Sequence, residues 1–487
     1  MVLLGFLTLP MSMSGAGVAV PQIGADLDAA GPAAQWVVTA YFLTASSFML
    51  VAGSLGDAVG RRRIYRLGAL AYTIGSLVAA LAPTIAILLA ARMVTGLGAA
   101  GVMAGGGAIL GATFTGPART RAFAAMGTIG GLGLALGPSL SGWLIDGMGW
   151  RVGLGVFALG GSTLSAGTWL MDETRAGTRP RIDVAGAAVF VAGITALMLG
   201  VTQGSQSGWT APGVLALFAV TLVLFVGFVL IERRAASPVL DLSLLRQRRF
   251  MGWLLAATTM SAGFAGILAF LPSYLQDPAG LTAAQAGLVM ILPTLPMTLM
   301  PLVGSRLINH GTPPALLIAL ALLAIASGNR WLTILHPAVT PLDLAGPLIL
   351  TGAGVGLAFG IIDAQAMNEV TENQIGMAAG MLNTVRGTAN SLALAIFGSA
   401  LVAILTGRIG SADLAGQIAT GNIPDTAGAG FLATQLTETW RVVLSALAAL
   451  CLVAAGTAGA LVRRSPPRTK PARSGSRVCQ TNSETGD

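Results

Sequence analysis

The chain has 487 residues, of which 54% are hydrophobic and only 9% charged, with a formal net charge of +8. A soluble domain carries about a quarter charged residues, so this composition, with a mean hydropathy of +0.79, excludes a soluble fold and requires lipid as the solvent. The positive balance does not point to a nucleic-acid binder, because the arginines sit in short loops between apolar runs, as membrane topology demands. The two cysteines, Cys451 and Cys479, and the two histidines, His310 and His336, give neither a disulfide framework nor a metal-ligand spacing. No metal or cofactor is expected, there is no Walker-type loop for ATP, and no enzyme constellation appears.

Runs of about twenty apolar residues span a hydrocarbon core about 30 Å thick. Fourteen are predicted, near 2–20, 33–55, 66–84, 85–112, 121–145, 151–171, 184–203, 211–231, 250–275, 284–305, 313–335, 343–366, 374–406 and 437–462. The first lacks a basic leader region and reads as a membrane helix that starts almost at Met1, not as a removed signal peptide. Arginine sets the orientation. The predicted inner loops hold Arg61, Arg62, Arg63, Arg66, Arg119, Arg121, Arg175, Arg179, Arg181, Arg233, Arg234, Arg246, Arg248, Arg249 and Arg306, whereas the outer side holds only Arg151, Arg330, Arg408 and Arg441. Both termini are therefore expected in the cytoplasm, in a multi-pass plasma-membrane protein. Most tryptophans fall near predicted outer helix ends, where indoles prefer the interface.

Trp150-Arg151-Val152 opens one predicted helix and Trp440-Arg441-Val442 another. If these positions are equivalent, 1–171 and 250–462 are two copies of a six-helix bundle, and 172–249 carries two inserted helices. The polar stretch 233–249 reads as an interfacial linker with a short amphipathic helix. Residues 463–487, rich in Arg, Pro and Ser, read as a disordered basic cytoplasmic tail drawn to anionic lipid.

Between the second and third apolar runs lie Gly53, Leu55, Gly56, Asp57, Gly60, Arg61, Arg62 and Arg63. The glycines permit a tight turn and close helix approach, the arginines hold this turn on the cytoplasmic side, and they favour the charged form of Asp57. The run resembles G-x-L-x-D-x-x-G-R-R/K, the pattern of the loop between helices 2 and 3 of the major facilitator superfamily. The resemblance implies an all-α integral membrane fold of two six-helix bundles, here with two extra central helices. It also implies a conformational latch built on Gly53, Asp57, Gly60, Arg61 and Arg62.

Further motifs agree. Arg92 within an apolar run is unfavourable by several kcal/mol unless it faces partners or water. With Gly96 it resembles the family's R-x-x-x-G, associated with proton handling; a snorkelling arginine is the alternative. Gly133, Gly137, Pro138 and Gly142 resemble the helix-5 motif of the superfamily's antiporters, which points to export; generic glycine-mediated packing is the plainer reading. Asp363 reads either as a titrating cavity acid or as an interface residue in cytoplasmic water, and Asn383, Arg386 and Asn390 form one polar stripe on an apolar helix. One departure stands out. The fourteen-helix drug:proton antiporters show an acid and an asparagine in helix 1, in a pattern like D-x-T-x-V-N-V-A-L-P, where this chain has Ser12 and Gly17.

The resemblance implies a secondary transporter exporting drugs, antibiotics or other amphipathic small molecules against protons by alternating access. Its expected partners are substrate, protons and the bilayer, with no nucleic acid, and it is expected as a monomer. The alternatives are a metabolite uniporter or exchanger without proton coupling, and a non-transporting membrane sensor of the same fold.

Overall fold

The computed structural model describes residues 1–29, 32–173, 183–235, 238–276, 278–419, 423–424 and 428–463. The expected basic tail beyond Arg463, and Arg175, Arg179 and Arg181 among the expected inner arginines, lie outside the described residues.

The described elements are all helical: α1 (Val2–Asp26), α2 (Pro32–Val59), α3 (Arg61–Ala80), α4 (Ile85–Thr113), α5 (Gly116–Gly167), α6 (Val184–Ser207), α7 (Pro212–Glu232), α8 (Leu242–Arg246), α9 (Arg248–Gln276), α10 (Ala283–Val289), α11 (Ile291–Asn309), α12 (Pro314–Trp331), α13 (Pro341–Asn368), α14 (Ile375–Ile409), α15 (Ala412–Ala419) and α16 (Ala429–Arg463), with short 3-10 turns between some of them. Local chemistry sets several ends. Thr340 and Asp343 form a reciprocal capping box at the start of α13, Asp183 accepts from Gly186 N at 2.8 Å at the start of α6, and α14 stops at left-handed Gly410. Eleven described helices are long and apolar enough to cross a membrane, or up to twelve if the bent α5 stretch counts as one span.

Two expectations are corrected in detail. The predicted polar turn is one residue long: α2 runs on to Val59, α3 starts at Arg61, and Gly60 alone, at φ 126°, makes the break. Asp57 needs no loop because packing, not water, satisfies it. The run predicted near 284–305 is divided into α10 and α11 at Met290, with Thr282 and Gln285 capping the first piece.

The 52-residue stretch α5 is broken at Gly149, where φ is 82° and ψ is 164°. Its neighbours on α1 show the chain reversing there. Before the break, Gly133 lies against Leu7, Gly137 against Met11 and Gly142 against Val18, so this limb runs parallel to α1. After it, Trp150 donates to Asp26, Gly160 lies against Thr8 and Gly167 against Met1, so the second limb runs antiparallel.

Packing is densest among α1–α5 and, separately, among α9 and α11–α16. These two groups meet where α2 crosses α14 and where the first limb of α5 crosses α11. Helices α6 and α7 pack on one another, and α6 rests against both α2 and α14. α7 turns Leu215, Leu222, Val223 and Val226 outward, a lipid-facing surface by its continuous apolar character. The two Trp-Arg pairs do equivalent work. Arg151 Nη2 donates to Ala82 O just beyond α3, and Arg441 donates through Nε and Nη2 to Leu335 O just beyond α12. Each arginine meets a backbone carbonyl in the segment that follows the third long helix of its group.

Candidate functional site

Several of the described loops expected on the inner side come together at one end of the bundle, and there the two groups of helices are tied to each other. Asp57, 4% exposed, accepts from Arg61 Nη2 at 2.8 Å and Nε at 3.0 Å, one helical turn on. It also accepts from two backbone amides of the other group, Gly376 N at 3.1 Å and Met377 N at 3.0 Å. These are unpaired amides in the first turn of α14, the positive end of a 35-residue helix, so a carboxylate there gains from both hydrogen bonds and helix dipole. Arg61 is fully buried and donates to Glu372 O at 2.7 Å. Gly53 makes the approach possible, because its Cα lies against the backbone of Gly376 with no room for a side chain on either residue. Among the expected latch residues, Arg62 does something else: its amide donates to Glu173 Oε1 at 3.1 Å, and Glu173 also pairs with Arg63 at 3.7 Å.

A second tie was not legible in the sequence. Arg119, at the start of α5, donates to Met367 O at 3.0 Å and Asn368 Oδ1 at 2.9 Å at the far end of α13. A cation thus meets the negative end of that helix. Its only forewarning was an arginine among the expected inner loops.

Deeper in the bundle, Asp363 on α13 is buried and ion-paired, with Arg386 Nη2 on α14 at 3.2 Å from both carboxylate oxygens. The Arg386 guanidinium also lies over the Phe359 ring, 4.6 Å from its centroid, a cation–π contact. Asn383 donates to Ala379 O of its own helix at 3.0 Å, and Asn390 is half-buried. Thr384, one turn before Gly387 and Thr388, donates across to Ser46 O at 3.3 Å.

Arg92 lies elsewhere, buried between α2, α3 and α4. Its Nε donates to Val37 O at 2.9 Å and its guanidinium covers the Tyr41 ring at 4.7 Å. Gly96 does not open space beside it; its Cα is pressed against Tyr41 O and Thr44 on α2. The helix-5 glycines Gly133, Gly137 and Gly142 face α1, whereas Gly127 and Gly131 face Pro301, Phe359 and Thr298 of the other group. The side chain of Pro138 lies outside the described residues. A Gly137→Leu substitution drives a side chain into Met11 O and Ser14. Its expected outcome is loss of folded protein, read as at least a severalfold fall in monodisperse yield by fluorescence-detection size-exclusion chromatography, because overpacking of this kind costs about 1–3 kcal/mol or more.

The sequence model described as the Major Facilitator Superfamily matches residues 2–394. The chain belongs to the major facilitator superfamily. Among curated relatives, it is 33% identical over 398 residues to the multidrug resistance protein Stp of Mycobacterium tuberculosis, covering 80% of this chain and 73% of that one. It is 31% identical over 388 residues to the puromycin resistance protein of Streptomyces alboniger, covering 78% and 76%. Among solved structures, the human organic anion transporter MFSD10 superposes with a TM-score of 0.59 at 17% identity, over 92% of this chain and 96% of that one; at that identity the likeness concerns the fold. A major facilitator transporter thus ties its two groups of helices together at one end through Asp57, Arg61 and Arg119, on residues that include the motif first seen in the sequence.

Proposed function

We propose that this major facilitator protein is a proton-coupled exporter of drugs, antibiotics or similar amphipathic molecules, working by alternating access. The observation that carries the reading is the Asp57–α14 latch: a buried tie between the two groups of helices, on a carboxylate held by Arg61 of its own group and by the Gly376 and Met377 amides of the other. In this reading 1–171 and 250–462 are six-helix bundles, 172–249 is an inserted pair, and α3 and the two limbs of α5 bring the spans to fourteen. The arginine-rich end faces the cytoplasm with both termini, so the arrangement with the latch made is sealed inside and open outward. The protein acts as a monomer. The names of the relatives, multidrug resistance and puromycin resistance, support an exported drug-like substrate.

Asp363 is the proton-coupling acid in this reading. With Ser12 in place of the acid of helix 1, a buried carboxylate has to come from elsewhere, and Asp363 is paired with Arg386 at 3.2 Å. Proton uptake neutralises the carboxylate and ends the ion pair, which biases one conformation over the other. In proteoliposomes with an imposed pH gradient, Asp363→Asn is expected to export at the same low rate with and without the gradient. Gradient-driven export at the parental rate removes Asp363 from the coupling. A drug-susceptibility panel in an efflux-deficient host tests the transport reading itself; no shift in tolerance for any compound counts against export.

A further inference from the structure

We infer that the outward face of α11 binds one anionic phospholipid, with the phosphate at Arg306 and His310 and the acyl chains along Leu295, Leu299 and Leu302. The face is continuous. Leu295 is 56% exposed, Leu299 49% and Leu302 40%, and Arg306 and His310, one and two turns further on, are exposed as well. All five lie on one side of the helix by their spacing. The other side is taken up by protein: Pro301 lies against Gly127 of α5, and Gly304 against Leu357 and Ile361 of α13.

The arginine has no use inside the protein. Its side chain makes no hydrogen bond or ion pair with any of the described residues. A cation in the last turn of a helix ordinarily serves the unpaired carbonyls there, but here the chain serves them itself. His310 meets Arg306 O through its amide at 3.0 Å and through Nδ1 at 2.8 Å, Gly311 N donates to Ile308 O at 2.9 Å, and Thr312 N donates to Leu307 O at 3.0 Å. Gly311, at φ 96°, makes this turn possible. No Asp or Glu occurs between Asp277 and Asp343, so no acid of this segment neutralises the guanidinium. Arg63 and Arg249, at the same end of the bundle, do have acids, Glu173 at 3.7 Å and Glu369 at 3.3 Å. Chemistry then selects the ligand. In a multi-pass membrane protein an exposed apolar helix face meets acyl chains. The rise from Leu295 to Arg306 is about 17 Å, close to one leaflet of a hydrocarbon core about 30 Å thick. A guanidinium this near the end of a span reaches the headgroup level, where phosphate oxygens supply the acceptors it lacks in the protein. A zwitterionic headgroup brings its own cation to that phosphate; an anionic one leaves the phosphate to Arg306.

The test uses the purified full-length protein in detergent, titrated with phosphatidylglycerol or with phosphatidylcholine of the same acyl chains, and native mass spectrometry counts the lipids bound. The first phosphatidylglycerol is expected to bind the parent about tenfold more tightly than phosphatidylcholine. Arg306→Gln is expected to weaken that first site about fivefold, the worth of one arginine at a headgroup. Arg306→Lys keeps the charge and is expected to keep the site, and Arg63→Gln on α3 is expected to leave it unchanged. Equal affinities for the two lipids overturn the proposal. So does undiminished phosphatidylglycerol binding in Arg306→Gln, which assigns the lipid to another surface. Displacement of the lipid by inorganic phosphate also overturns it, in favour of a site for a free anion. Should Arg306→Gln fail to fold, Arg306→Met, which adds no polar group to a lipid-facing helix, decides by the same criterion.

Discussion

Asp57→Ala is expected to reduce export to a tenth or less of the parental rate at equal expression. The substitution leaves Arg61, fully buried, without its carboxylate, and returns the amides of Gly376 and Met377 to the unpaired state of a helix start. Breaking a buried pair by removing one partner costs about 3–5 kcal/mol. The part of that cost that falls on the arrangement in which α2 and α14 are joined is the loss of the two amide contacts and the stranding of Arg61 beside Glu372 O, and the equilibrium moves against that arrangement by about tenfold or more. A carrier confined to one arrangement does not cycle. Asp57→Asn keeps the shape and one acceptor but loses the charge, and is expected to fall between the parent and Asp57→Ala. Vesicle flux per mole of protein measures all three, and parental flux in Asp57→Ala would remove the latch from the mechanism.

Gly376→Val is expected to hold the same end open. A Cβ on Gly376 meets Asp57 Oδ1 at 2.6 Å and crowds the Gly53 carbonyl. These are a helix backbone and a tied carboxylate, not the free end of a flexible side chain, so neither gives way cheaply. The damage is confined to the seam, because Gly376 faces the other group of helices and not its own. The halves fold and the seal fails. A cysteine at Thr384, 2% exposed in the closed seam, is expected to react with a thiol reagent applied from the arginine-rich side at least about tenfold faster in Gly376→Val than in the parent background. Equal labelling rates would show that the crossing of α2 and α14 tolerates a side chain.

How much of this was legible differs from residue to residue. Asp57 and Arg61 stood out because a carboxylate and a guanidinium between apolar runs are costly and therefore informative. Their partners did not. Gly376 N and Met377 N are backbone amides, which almost every residue carries, and they lie 319 and 320 positions away in the chain. Glu173 and Arg119 were visible as charges, but nothing local says that one caps α3 and the other the end of α13. Asp363 and Arg386 were each noticed, and their pairing at 3.2 Å required the two helices to be set side by side. Arg92 and Gly96 carried a motif, yet Gly96 proved to serve the packing of α4 on α2 and not to make room for the arginine.

The amino-acid sequence by itself determined that this chain lives in lipid, where its apolar helices fall, and which loops share a side, because hydropathy and arginine placement act locally along the chain. Only the tertiary structure decided that Asp57 closes onto the first turn of α14, that Arg119 meets the end of α13, and that Arg92 donates to Val37 O and lies over the Tyr41 ring. Those outcomes depend on which surfaces meet across hundreds of residues, and hydrogen bonds and close backbone approaches exist only once the helices have packed.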